Sequence, residues 1–171
     1  MKYSLKTSFA RWTALLVVVV FALTVMGRLV TLTGAAFFCP GWPVCMPTAP
    51  VGYLKLVHLV LVGAASLVMF LVWRKAWREL RHHAVLLPLT TITGVLFMGQ
   101  ALVGAIEVTR QFPMHIVVLH TLTAVALWVS LAMLVVAGKI VQPLVWPALL
   151  VAMVVCMKVY WVALLWRRRK A

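Results

Sequence analysis

Five apolar stretches punctuate the chain: Trp12–Val30, Tyr53–Trp73, Ala84–Ile106, His115–Ala137 and Pro143–Trp166. Each approaches or exceeds the run of about 20 residues that a helix needs to cross the hydrocarbon of a bilayer. In lipid every backbone amide must find its partner internally, so only helices and closed barrels span. Strict alternation of apolar and polar residues is absent, which excludes a barrel. Of 171 residues, 65% are apolar and 11% charged, against about 45–50% and 25% in soluble domains, so a water-soluble globule is excluded too. The expectation is an all-α integral membrane protein. A four-helix transmembrane bundle occupies residues 1–137, and a fifth C-terminal transmembrane helix with a basic tail occupies 138–171. The first stretch follows a basic start, as a secretory signal does. It is longer than a typical signal core and further spans follow it, so it is read as a retained helix.

The formal charge is +14, from sixteen Lys and Arg against two acids, Glu79 and Glu107. The cations cluster at the ends of the apolar runs: Lys2, Lys6 and Arg11; Arg74, Lys75, Arg78 and Arg81; Lys139; and Arg167 to Lys170. Orientation signals and headgroup contacts have that distribution, and nucleic-acid binding does not need it. Two acids cannot build a carboxylate-rich metal site or a paired-carboxylate hydrolase. Thr31–Gly52 has no Lys or Arg and the Glu107–Met114 connection has only Arg110, whereas the Trp73–His83 connection is strongly basic. The positive-inside bias therefore puts that middle connection and both ends of the four-helix block inside, and the other two loops outside. The fifth stretch is too short for two spans. If it crosses, with Lys158 snorkelling, it carries the basic tail outside against the bias.

Two histidines lie within the spans, His58 about five residues into the second stretch and His120 about five into the fourth. At about 1.5 Å per residue both sit on the order of 8 Å below the outer end. Imidazoles at one depth on separate helices can clamp a haem iron from both sides in a bundle core. Hydrogen bonding to a neighbouring helix is the simpler alternative. His82, His83 and His115 fall in loops or at span ends and read as solvated. Cys39 and Cys45 flank Pro40-Gly41-Trp42-Pro43-Val44 in the outer loop and can close a small disulfide ring. Free thiols or a metal pair are the alternatives, the latter lacking further soft ligands nearby. Cys156 reads as an apolar filler. Gly94, Gly99 and Gly104 allow close approach of a helix or a flat ligand, with Gln100 an uncharged donor and acceptor among them. Thr90, Thr91 and Thr93 are expected to bond back to helix carbonyls. Arg28, at the end of the first stretch, can meet a carboxylate or simply snorkel.

The string Gly27-Arg28-Leu29-Val30-Thr31-Leu32-Thr33-Gly34, followed by Cys39-Pro40-Gly41-Trp42-Pro43-Val44-Cys45, resembles the first outer loop of the haem A synthases. Gln100-Ala101-Leu102-Val103-Gly104-Ala105-Ile106-Glu107-Val108-Thr109, with His120 after it, is similar to that family's third and fourth helices. Members have two similar four-helix halves, each with a histidine near the outer ends of its second and fourth helices. The resemblance covers about Gly27–Trp128 and fits one half. It implies that His58 and His120 are axial ligands of haem b and that Cys39 and Cys45 form a disulfide. It also implies oxidation of the methyl group of haem O to the formyl group of haem A, for terminal oxidase assembly. Three departures stand out: Thr31 replaces an arginine usual in the first string, Lys55 occupies the place of a glutamate three residues before the first histidine, and one histidine pair stands where the family has two.

Two functions compete on these grounds. One is a compact haem A synthase in a homo-oligomer, with Glu107 replacing the missing glutamate as a base near the haem edge and with haem O synthase or a terminal oxidase as partner. The other is a non-catalytic haem b-binding membrane protein, an electron carrier or oxidase assembly factor, in which Glu107 is a solvated residue paired with Arg110. Transport through the bundle lacks the inverted repeats and broken helices of transporter folds.

Overall fold

A computed structural model describes residues 2–39, 41, 43–109 and 113–138. Four helices account for most of them: α1 (Lys2–Thr33), α2 (Tyr53–Glu79), α3 (Leu86–Thr109) and α4 (Met114–Ala137). No strand occurs among the described residues. Each helix contains a segment long and apolar enough to cross a membrane, which makes this a multi-pass, all-helical membrane protein. The fifth apolar stretch, Cys156, Lys158 and the basic tail lie outside the described residues, as does Arg110.

Three helices run beyond their expected bounds. The basic N-terminal residues and Thr31–Thr33 belong to α1, because nothing interrupts the helix before Gly34. That glycine takes the left-handed conformation, φ 67°, which an L side chain resists and which ends helices. Helix α2 runs on through Arg74 and Arg78 to Glu79. Those residues are good helix formers, and Lys75 pairs with Glu79 one turn later at 2.9 Å. Glu107, expected in a connection, lies inside α3. His83 is exposed as expected, yet its Nδ1 accepts the backbone N–H of Leu86 at 3.2 Å and so caps the start of α3.

Helix α1 packs along α2, α3 along α4, and the two hairpins meet mainly through α2 and α3. The shared apolar core fills the half of the bundle away from the Cys39–Cys45 loop. It is built from Leu16, Val17 and Val20 of α1, Met69 and Val72 of α2, Phe97 of α3, and Trp128, Leu131 and Leu134 of α4. In the loop half the buried apolar cluster reduces to Val30, Ala35 and Ala36, with Val51 and Leu54 against it. Thr90, Thr91 and Thr93 bond back to Leu86, Leu87 and Leu89, as expected. Trp128 Nε1 donates to Thr24 Oγ1 at 3.3 Å, tying α4 to α1.

Candidate functional site

The loop half, poor in apolar core, holds both intramembrane histidines. His58 is five residues past the start of α2 and His120 six past the start of α4, which puts them about 8 and 9 Å along their helices. Each ring lies on a glycine of the preceding helix. A Cβ built on Gly27 would sit 3.0 Å from Cε1 of His58, and one on Gly104 would sit 2.8 Å from Cε1 of His120. Glycine at these two positions lets an imidazole lie directly against the neighbouring helix. The two hairpins thus share one arrangement, with glycine on the first helix and histidine on the second in each. Nδ1 of both rings is buried without a hydrogen-bond partner. The two histidines interact electrostatically with one another, and His58 also with Lys55 and with the backbone of Leu23.

Three residues of α3 surround His120. Gln100, Gly104 and Glu107 stand at i, i+4 and i+7, on one face of the helix. Gln100 Nε2 is 2.9 Å from Nε2 of His120, and Thr123 Oγ1 donates to Gln100 Oε1. Glu107 Oε2 is 3.6 Å from Nδ1, its side chain 14% exposed. One protonation pattern suits all three neighbours. Thr123 fixes the amide so that its NH2 faces the ring, the ring accepts at Nε2, and its proton sits on Nδ1 toward the Glu107 carboxylate.

The glycine run meets its expectation at two of three positions. Gly104 underlies His120, Gly94 faces Met69, and a carbon on Gly99 would meet nothing within 4 Å. Residues five apart are turned by about 140° around a helix, so these three cannot share one face. Arg28 is half-buried beside Gly27, but among the described residues it pairs with no carboxylate.

The loop closes as a disulfide, Cys39–Cys45, with Cα atoms 5.3 Å apart. Cys39 is 0% and Cys45 4% exposed. Lys55, in the first turn of α2, is only 3% exposed. Its Nζ donates to Cys39 O at 2.5 Å and to Gly41 O at 3.0 Å. Sequence reasoning missed this contact, the two histidine–glycine pairings and Thr123. Gly27 precedes His58 by 31 positions and Gly104 precedes His120 by 16, so no common spacing could have paired them. A lysine in the first turn of a helix carries no signal that names the loop carbonyls it meets.

The chain is similar to a haem A synthase from Staphylococcus saprophyticus, with 31% identity over 118 residues. The match takes in 64% of this chain and 39% of that protein, so the chain spans well under half of the relative's length. No protein-family profile matches the chain. No solved structure matches it.

Proposed function

We propose that this protein works in haem A formation, holding a haem b between His58 and His120 and oxidising the methyl group of haem O to the formyl group of haem A. The observation that carries the reading is the pair of imidazoles, each seated on a glycine at matching depth on α2 and α4. The residues suit such a group. Among the described residues no cluster of three or more His, Cys, Asp or Glu could hold a bare metal ion. Two imidazoles would suffice for a metal that brings most of its own ligands. His58 and His120 would hold the haem, which when bound would supply a redox-active iron.

The chain's own side chains orient and charge that site. Gly27 and Gly104 set how close each ring lies to the hairpin behind it. Glu107 favours the proton of His120 on Nδ1, and Gln100, itself held by Thr123, occupies the Nε2 lone pair, so Gln100 would have to release Nε2 for it to serve as the ligand nitrogen. In this reading Glu107, 3.6 Å from His120 Nδ1, takes the role of base in place of the family's glutamate. Arg28, with no carboxylate partner among the described residues, offers a cation to a haem propionate. The disulfide loop lies on the outer face of the cell membrane. In this reading a homo-oligomer lets another copy supply a second haem site, and haem O synthase or the terminal oxidase are the partners upstream and downstream.

A second reading rests on Lys55. Its ammonium is buried and committed to two carbonyls, which suits a non-catalytic haem b-binding protein acting as electron carrier or assembly factor. The test starts with the pigment of the purified protein. Wild type is expected to show a low-spin, six-coordinate haem b; His58→Ala and His120→Ala lose the haem or leave it high-spin, and His115→Ala changes nothing. Normal spectra in both of the first two variants end the reading. With haem O supplied, formation of haem A separates enzyme from carrier.

A further inference from the structure

The geometry points to Lys55 as a positioning residue: its ammonium seats the Cys39–Cys45 ring on helix α2, one turn from His58, so that the bridge and the seating of the loop are coupled. This proposal does not rest on the haem reading.

Consider what a lysine meets at that position. It is the third residue of α2, and a cation in the first turn opposes the helix dipole. Burying an ammonium is also unfavourable unless it is hydrogen-bonded. A lysine near a helix end in a membrane ordinarily snorkels its charge to the water interface. Lys55 does the reverse, at 3% exposure. Helical side chains lean toward the N-terminus of their helix, so the four-carbon stem runs back toward the chain that precedes α2. There Nζ meets Cys39 O at 2.5 Å and Gly41 O at 3.0 Å. Charge-assisted bonds to two carbonyls offset both penalties.

The disulfide and the bonds of Thr48 join the loop to itself. The disulfide joins Cys39 to Cys45, and Phe38 O accepts both the N–H and the hydroxyl of Thr48, at 2.8 and 3.0 Å. Gly41 makes the turn inside the ring with φ 109°, and a Cβ there would lie 2.9 Å from Val44 O. That turn brings Gly41 O beside Cys39 O, so one ammonium can hold both. Lys55 is the hydrogen-bonding tie, among the described residues, from the ring to a membrane-spanning helix. It carries the ring on the same first turns of α2 that carry His58 at i+3.

The consequence is kinetic. Both sulfur-bearing residues are buried, so reduction of the bridge requires the loop to open first, and its rate reports the opened population. The experiment uses the full chain in detergent with a soluble phosphine reductant, following release of the Cys39 and Cys45 thiols by mass spectrometry. Lys55→Met keeps the stem and loses the donors, and is expected to be reduced at least about tenfold faster than wild type. Lys55→Arg retains two donors and stays near wild type. Lys75→Met, a lysine of the same helix paired with Glu79, is unchanged. A second measurement needs no variant. In wild type, Lys55 is expected to resist acetylation relative to Lys75 while the bridge is intact, and to react at least about tenfold faster once the thiols are reduced and alkylated. A wild-type reduction rate in Lys55→Met, or equal acceleration in Lys75→Met, overturns the proposal. So does a Lys55 whose acetylation rate is indifferent to the bridge.

Discussion

Replacing Gly104 by alanine places a methyl carbon 2.8 Å from Cε1 of His120, whereas ordinary carbon–carbon contact begins at about 3.5 Å. Either α3 and α4 separate or the imidazole moves by about 0.7 Å. The ring gives more easily, because it ends a side chain with two rotatable bonds and is 34% exposed. Alanine also improves helix propensity by up to about 1 kcal/mol over glycine, which offsets part of the strain. Net stability is therefore expected to change by no more than about 1 kcal/mol. Ligation is less forgiving: a displacement of about 0.7 Å exceeds the roughly 0.5 Å within which a working site must be held. Haem affinity should fall roughly 10- to 100-fold, as when a ligand loses its supporting partner. The assay is a haem titration by absorbance alongside a thermal unfolding curve, for Gly104→Ala, Gly27→Ala and Gly99→Ala. Gly27→Ala meets His58 at 3.0 Å and should lose less affinity; Gly99→Ala meets nothing within 4 Å and should lose none. Wild-type affinity in Gly104→Ala, or the same loss in Gly99→Ala, would refute the reasoning.

Three further outcomes follow from the structure. In intact protein a thiol reagent should label neither Cys39 nor Cys45 before reduction. Cys39→Ser should remove about 2 kcal/mol of stability, the entropy of a seven-residue ring, read as a lower unfolding midpoint. Glu107→Gln keeps the shape beside His120 and removes the charge. Where haem O is supplied, it should yield little haem A while the low-spin spectrum persists. Equal yields clear Glu107 of the base role, and no haem A from wild type favours the carrier reading.

Hydropathy alone determined the four spans, because in lipid each helix must satisfy its own backbone and so announces itself in one continuous run of sequence. The depth of His58 and His120 followed from counting residues, since the rise per residue is constant. The short Cys39–Cys45 spacing made a ring feasible, and the structure closed it. Partnership across helices was another matter. These spans are apolar on nearly every face, so no periodic stripe tells how each is rotated about its axis, and packing decides the rotation. Only the tertiary structure put Gly27 under His58 and Gly104 under His120, while turning Gly94 and Gly99 elsewhere. It drew Glu107 into α3 against the Nδ1 of His120, where the sequence placed it in a connection. Lys55 is the sharpest case. Read along the chain it is a cation standing where an acid was expected; in the fold its charge is settled by two carbonyls of a loop 14 and 16 residues away, a contact that exists only because Gly41 turns that loop back onto the first turn of α2.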